Sequence, residues 1–459
     1  MINSLPADVL REIFDFRRID EITTSSTLPW KWHRLAHVFR TWRDIIFASS
    51  RRLNLELLCT HGTPVRKDLG YLPALPTVIN FPGSYDDSDE DNIIAALEHP
   101  TRVHAVRLNV RHSLLRKMTT VAQEPFPELT HLWLESKEEE EPMPVLLDYF
   151  LGRRAPRLQK VYLDGIPFPA APTLLLSARN LVDVSLRDIT NVSYISPGVM
   201  AATLAVLPRL KYLTFGFRWG TSYPNRIRMP LPITCAVFPA LTHFHFNGLC
   251  EYFEDFVAQI DAPQLYRLGI GYLNRHPHVD PQIAQLCKFI KRSEKLRLSL
   301  FRHADLSFIS ISPITPRTTI IKVWGQSFFT LSIRDEGMGR VLSEIADILS
   351  DVDRLFIGSE FQGYSRQASS IQWLELFCPF TAVKSLNVYA SLSKHVALAL
   401  NSVTGTGTAE VLPALELLCL ENRKKTSVGR FVATCVGRPV IFVNKESEFQ
   451  ERLEPSVTD

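Results

Sequence analysis

Apolar and polar positions in this chain recur in the frame Pro-x-Leu-x-x-Leu-x-Leu, whose last two apolar positions are separated by one polar residue. Six copies are clear: Pro127-Glu-Leu-Thr-His-Leu-Trp-Leu134, Pro156-Arg-Leu-Gln-Lys-Val-Tyr-Leu163, Pro208-Arg-Leu-Lys-Tyr-Leu-Thr-Phe215, Pro239-Ala-Leu-Thr-His-Phe-His-Phe246, Pro263-Gln-Leu-Tyr-Arg-Leu-Gly-Ile270 and Pro413-Ala-Leu-Glu-Leu-Leu-Cys-Leu420. Looser copies begin at Val103, Leu181, Val352 and Val383. The period-two end of each copy predicts a short strand with one buried face. The stretches 145–151, 198–207, 252–260, 281–292, 338–349 and 393–403 carry apolar residues at helical spacing, as in Val341, Ile345, Ile348 and Leu349. Alternating strands and helices predict an α/β architecture, with parallel strands inside and helices outside. The proline of each copy is expected to end the preceding helix, because it lacks an amide donor and restricts the residue before it.

The first apolar position falls at 103, 129, 158, 181, 210, 241 and 265, so successive intervals are 26, 29, 23, 29, 31 and 24 residues. Positions 352, 383 and 415 continue at 31 and 32. This is the period of a leucine-rich repeat, and it predicts a solenoid. No single repeat can bury its apolar stripe alone; stacking closes the core, and each buried Leu or Val contributes roughly 1.5–3 kcal/mol. Solenoids of this kind bind partners more often than they catalyse. Between residues 298 and 334 the pattern weakens. Leu296, Leu298 and Leu300 predict a strand, followed by Ile320–Trp324 and Phe328–Ile333 without an intervening helix. That stretch reads as a degenerate repeat or an inserted β segment.

Residues 1–58 carry no repeat. Leu5-Pro-Ala-Asp-Val-Leu-Arg-Glu-Ile-Phe14 predicts an amphipathic helix, with Pro6 in its first turn and Asp8 near its positive end. A second helix is predicted from Trp32 to Phe47, with apolar rows that include Leu35, Val38, Phe39, Trp42, Ile45 and Ile46. So few residues make a small core, and such a module gains from docking on something larger. These residues resemble an F-box. Leu5-Pro-x-Asp-Val-Leu-x-x-Ile-Phe14 is similar to the family's opening helix, and Val38-Phe-Arg-Thr-Trp-Arg43 to its Val-Cys-basic-x-Trp-basic signature, with Phe39 in place of the Cys. Together with the repeats, the chain resembles the F-box/leucine-rich-repeat class, and Trp30–Val38 a fungal subset of it.

The resemblance implies a Skp-type adaptor bound through Leu5, Pro6, Val9, Leu10, Ile13, Phe14, Leu35, Val38 and Trp42, membership of a cullin–RING ubiquitin ligase, and a protein substrate held on the repeats. Adaptor docking is the favoured reading; some of these side chains, Trp42 above all, could instead belong to the module's own core.

Within each strand the residues between the inward leucines face the concave side. One column reads Arg107, Trp133, Tyr162, Ser185, Thr214, His245 and Gly269. Its flanking columns read Ala105, His131, Lys160, Asp183, Tyr212, His243 and Arg267, and Asn109, Glu135, Asp164, Arg187, Gly216, Asn247 and Gly271. Trp133 and Tyr162 beside Arg107, His131 and Lys160 have the composition of an interface hot spot, suited to an acidic or phosphorylated protein segment. Tyr212, His243, His245 and Arg267 extend the candidate surface. A solvated ladder with incidental aromatics accounts for the same residues.

Composition narrows the function further. The net charge is +3, from 51 basic and 48 acidic residues, which does not indicate nucleic-acid binding. Seven scattered cysteines form no Cys-x-x-Cys and suit reduced thiols. The first residues lack the pattern of a signal peptide, no long apolar run suggests a membrane span, and Asn191-Val-Ser193 reads as a chance glycosylation triplet.

Asp86-Asp-Ser-Asp-Glu-Asp91 lacks the Gly and distal Glu of a calcium loop and reads as a solvated acidic linker. Glu138–Glu141 reads as an exposed loop. His33 and His37 lack a third metal ligand, Gly405-Thr-Gly-Thr408 lacks a dinucleotide-binding context, and no nucleophile elbow, P-loop or zincin motif occurs.

The expectation is therefore an intracellular, non-enzymatic substrate receptor without cofactor, in the cytoplasm or nucleus. Its parts are an F-box-like module at 1–58, a connector with an acidic loop at 59–100, the repeats at 101–420, and a cap and tail at 421–459 in which Val440–Val443 covers the last strand edge. The alternative is a repeat scaffold without ligase assembly; a hydrolase centre hidden in 298–334 is a third reading.

Overall fold

The computed structural model describes residues 6–10, 12–13, 38–48, 56–62, 64–71, 75–84, 86–136, 145–146, 150–168, 173–218, 235–272, 283–293, 296, 301–309, 318–325, 328–334, 342–357, 370–389, 396, 400, 411–421 and 440–443. By its internal contacts the chain divides into two compact units, Met1–Tyr194 and Ile195–Asp459.

The first unit begins with helical residues at 7–10 and 12–13 and a helix at Arg40–Ala48, in which Leu10, Ile45 and Ile46 are buried. Six strands follow: β1 (Leu57–Cys59), β2 (Thr77–Phe81), β3 (Val103–Asn109), β4 (His131–Glu135), β5 (Lys160–Asp164) and β6 (Asp183–Ile189). Each pairs in parallel with the next. Parallel neighbours require crossovers, and the helices Val65–Tyr71, Asp87–Leu97 and His112–Val121 supply the first three.

The repeating proline has a more specific job than ending a helix. In every clear copy it is the second residue of a tight turn. The amide of the following Leu donates to the carbonyl of the residue before the proline: Leu129 to Phe126 (3.3 Å), Leu158 to Ala155 (3.0 Å), Leu210 to Leu207 (3.2 Å), Leu241 to Phe238 (3.4 Å), Leu265 to Ala262 (3.1 Å) and Leu415 to Leu412 (3.1 Å). Proline suits that position because its fixed φ matches the turn. The leucine so placed is buried in every copy; the two apolar residues of the strand that follows are buried in the first five copies, as is Leu418 in the sixth.

Residues 59–100 are not a connector. They hold the end of β1, all of β2 and two crossover helices, so the parallel array begins at Leu57, 46 positions before the first predicted strand at Val103. The acidic run is not a solvated loop either. It forms the first turn of the helix Asp87–Leu97, where Asp86 accepts from the Asp89 amide (2.9 Å) and Asp89 accepts from the Asp86 amide (3.5 Å), a reciprocal capping box. Carboxylates there complement the positive end of the helix. Asp89 and Glu90 are buried and partnered: His61 Nδ1 lies 2.6 Å from Asp89, Lys117 Nζ 2.7 Å from Glu90, and the Ser113 hydroxyl donates to Glu90 (3.0 Å). A charge run is a solvated face only when nothing packs on it, and two neighbouring repeats pack on this one.

The second unit contains β7 (Tyr212–Phe217), β8 (Ala236–Val237), β9 (His243–Gly248), β10 (Ile260–Asp261) and β11 (Arg267–Tyr272). Then come β12 (Phe301–Ile309), β13 (Thr318–Gly325), β14 (Phe328–Arg334), β15 (Arg354–Ile357), β16 (Ser385–Tyr389), β17 (Leu417–Glu421) and β18 (Val440–Val443). β7, β9 and β11 pair in parallel, and the short β8 and β10 pair with each other. After β11 the order reverses. β14 is the parallel neighbour of β11, β13 is antiparallel to both β14 and β12, and β12 is the parallel neighbour of β15. The weak stretch is thus an inserted antiparallel meander. Only two residues separate β13 from β14, too few for a crossover helix, so a hairpin is the available solution. The strand predicted around Leu296–Leu300 is displaced: Leu296 is helical and the strand starts at Phe301, while Leu298 and Leu300 lie outside the described residues. From β15 the parallel order resumes, and β18 covers the edge of β17 as the sequence suggests.

Among the predicted helices, 198–207 forms as Pro197–Ala205, 252–260 as Cys250–Val257, 281–292 as Ala284–Arg292, and 338–349 as helical residues 342–344 followed by Ala346–Leu349. Over 145–151 the described residues are 145–146, which are not helical, and the start of a short 3-10 turn, Phe150–Arg153; most of 393–403 lies outside the described residues.

One buried carboxylate ties two repeats of this unit together. Glu254, on the helix Cys250–Val257 and 8% exposed, accepts from the amides of Gln285 (2.7 Å) and Leu286 (2.9 Å) at the start of the helix Ala284–Arg292. Burial pushes its pKa up to about 7, against the pull of those two amides. A carboxyl whose folded pKa is raised lends stability that is complete below its unfolded value of 4.5 and is lost as pH rises through about 7. Thermal melts should therefore show the protein gaining stability from pH 8 to pH 6, and Glu254→Gln should flatten that slope. An unchanged slope in the variant would show that Glu254 titrates as a solvated acid.

Candidate functional site

Strand register brings the predicted columns together. Arg107, Trp133, Tyr162 and Ser185 are direct cross-strand neighbours, as are Ala105, His131, Lys160 and Asp183, and Asn109, Glu135, Asp164 and Arg187. The side chains between them, Val106, Leu108, Leu132, Leu134, Val161, Leu163, Val184 and Leu186, are buried in the core. Strict alternation leaves the columns on the opposite, open face of the sheet, where Ser185 alone of these residues is itself buried.

Trp133 and Tyr162 stack with ring centroids 3.8 Å apart and planes 19° apart. The Arg107 guanidinium lies 4.9 Å from the Trp133 centroid, and that of Arg187 lies 5.3 Å from the Tyr162 centroid. Following strand order, the result is a four-layer stack of cation, indole, phenol and cation. Ring pairs of this kind contribute about 0.5–1.5 kcal/mol, and each exposed cation–π contact about 0.5–1 kcal/mol. The rings are consequently half-buried rather than freely exposed, and they meet a partner with pre-ordered edges. The Tyr162 hydroxyl donates to Asp164 (2.8 Å); burial and that carboxylate push its pKa up to about 12. It therefore remains a neutral donor throughout the ordinary pH range. Arg187 completes the stack and Asp164 takes the Tyr162 hydroxyl, although sequence reasoning did not rank them as candidates. Their positions in the third column, Arg187 one strand from Tyr162 and Asp164 two residues on along the same strand, were the signal.

His131 flanks the stack. Its Nδ1 lies 2.8 Å from the Thr130 hydroxyl, and burial, then Lys160 and His104, hold its pKa below the usual histidine range. His243 repeats the arrangement in the second unit, with Nδ1 2.9 Å from the Thr242 hydroxyl and a pKa lowered by burial and by Arg267. Both threonines orient a histidine, and the triplet Leu-Thr-His, present in both repeats, is the sequence signal for it.

In the second unit Tyr212, His243 and Arg267 are cross-strand neighbours, and His245 lies opposite Gly269. The rings of Tyr212 and His243 are 4.5 Å apart, and His243 meets Tyr266 edge-on at 5.0 Å. Arg267 lies 6.0 Å from the Tyr266 ring. His245, Arg267 and Tyr212 are exposed.

Among the nominated adaptor residues, Pro6, Val9, Ile13 and Val38 are exposed, Trp42 is half-buried beside Phe39 (centroids 6.1 Å), and Leu10 is buried and so faces inward. Leu5, Phe14 and Leu35 lie outside the described residues, as do His33, His37, Glu138–Glu141 and Gly405–Thr408. Among the described residues no group of three or more His, Cys, Asp or Glu side chains is arranged to hold a metal ion, and no helix is long and apolar enough to cross a membrane.

No protein-family model matches the chain, and no curated protein matches it. Among solved structures, the chain is similar to the leucine-rich repeat-containing protein LegL7 from Legionella pneumophila, at 10% identity and a TM-score of 0.27 over 85% of this chain and 90% of that one. At that TM-score the likeness adds nothing to the assignment of the fold. The repeat architecture rests on the chain's own strand pairing and its recurrent proline turns.

Proposed function

We propose that this chain is a protein-binding repeat scaffold, and more specifically the substrate-recognition subunit of a cullin–RING ubiquitin ligase. Its N-terminal helices dock a Skp-type adaptor and its open sheet face holds a protein substrate. In this reading the chain does no chemistry and needs no cofactor; it raises the local concentration of a target beside the ligase, in the cytoplasm or nucleus.

The carrying observation is the apolar surface of the N-terminal helices. Val9 (42% exposed), Ile13 (45%), Val38 (49%) and Phe39 (44%) are four of the ten large apolar side chains most exposed among the described residues; the other six are scattered between positions 176 and 237. Concentration of exposed apolar groups in one small module favours a docking surface over incidental exposure. Val9, Ile13 and Val38 are also among the positions that the F-box resemblance nominates.

The test is capture of the full-length chain by a Skp-type adaptor. Capture supports the receptor reading. Failure by a well-folded chain overturns it and leaves a repeat scaffold without ligase assembly. The substrate half of the proposal has its own test. Trp133→Ala with Tyr162→Ala removes the stack without touching the core, and should lower partner capture at least about tenfold while adaptor capture persists. Undiminished partner capture would return the stack to an ordinary solvated ladder.

A further inference from the structure

The open faces of the two units differ in charge. Across β3 to β6, Arg107, Lys160 and Arg187 are balanced by Glu135, Asp164 and Asp183. Across β7, β9 and β11, the nine open-face positions in register from Tyr212 to Gly271 include Arg267, His243 and His245 and no Asp or Glu. Two glycines shape this second face. A Cβ at Gly269 would stand 2.5 Å from His245 Nδ1, and one at Gly271 would stand 2.8 Å from Asn247 Oδ1. The imidazole and the amide therefore lie over the backbone of β11, beside the exposed Arg267, where any larger residue would displace them.

We propose that the open face of β7, β9 and β11 binds an acidic protein segment, with carboxylates taken by Arg267, His243 and His245 and apolar contact supplied by Tyr212. The inference rests on the reading that the sheet face binds a protein, and it fixes the chemistry of the occupant. Charge complementarity argues for it: Arg267 is the one formal charge among those nine positions, and His243 and His245 add imidazole N–H donors, so the face attracts carboxylates and repels basic segments, whereas the balanced face around Trp133 and Tyr162 has no such preference. A planar guanidinium donates two parallel hydrogen bonds to a carboxylate, and the ring of Tyr212, 4.5 Å from His243, is a rigid contact beside it.

The test uses the full-length chain and two fluorescent peptides, one alternating Glu and Ala, the other Lys and Ala, read by anisotropy. The Glu peptide should bind and the Lys peptide should not, with affinity falling as salt rises. Arg267→Glu should weaken binding at least about tenfold, and Gly269→Ala, which moves His245 without removing a charge, by about threefold or more. Arg116→Glu, at an exposed position of the helix His112–Val121 away from both open faces, should change it by less than about twofold. Equal binding of both peptides, binding of neither, or equal losses from Arg116→Glu and Arg267→Glu would overturn the inference. Those outcomes leave the proposed function standing where adaptor capture persists and partner capture still depends on Trp133 and Tyr162, so the two failures are distinguishable.

Discussion

Phe215→Ala is expected to destabilise the protein by about 3–5 kcal/mol, read as a lowered urea midpoint with an unchanged slope. Phe215 is fully buried on β7, and its ring lies 5.1–6.4 Å from five others: Phe217, Phe244, Phe246, Tyr252 and Phe256. Those rings come from two strands, β7 and β9, and the helix Cys250–Val257, so truncation opens a cavity that no single neighbour can fill. Native stability of a domain is about 5–15 kcal/mol, which makes this a large fraction of the whole. Thr214→Ala, one position away on the open face, should change stability by no more than about 0.5 kcal/mol. A loss below about 1 kcal/mol for Phe215→Ala would mean that the ring cluster is loose.

The second large effect is expected at the N-terminal helices. Val38→Asp combined with Phe39→Asp should lower adaptor capture on the order of 100-fold or more, because each buries a charge in an apolar contact, while the melting temperature stays within a degree or two. Both side chains are strongly exposed, so the unbound fold has little to lose. Ile46→Ala supplies the contrast. Ile46 is fully buried in the helix Arg40–Ala48, and its truncation should destabilise the module by about 2–5 kcal/mol. This separates a missing contact from an unfolded module, a distinction that Trp42, half-buried, does not offer by itself. Full adaptor capture by the double variant would remove the apolar surface from the docking role.

Strand positions were legible because a period-two pattern bounded by a proline turn leaves little choice of register. A shift of one residue would turn every leucine outward. That is why the columns containing Arg107, Trp133 and Tyr162, or Tyr212, His243 and Arg267, were readable in advance and appear as cross-strand neighbours. The stack of Trp133 on Tyr162 was legible as adjacency only. Its closure by Arg187 depends on a guanidinium reaching from the next strand and column, which spacing alone does not report.

The acidic run shows the limit from the other side. Its composition is that of a solvated linker, and only the approach of His61, Ser113 and Lys117 from other repeats makes a capped, partly buried helix start the lower-energy state. The repeats at β1 and β2 were missed for a related reason. Leu57–Cys59 is only three residues long, and in Thr77–Phe81 the buried Ile79 and Phe81 fall one position later than the frame set by Pro73 and Leu75, so the identity of both strands comes from their pairing.

The sequence by itself therefore determined the repeat, its strand register and the inward and outward faces, since all three follow from local periodicity and turn chemistry. Only the tertiary structure decided which polar side chains are buried and partnered, where the array begins, and how the meander β12–β14 is threaded. These depend on contacts between residues far apart in the chain, and no local pattern records them.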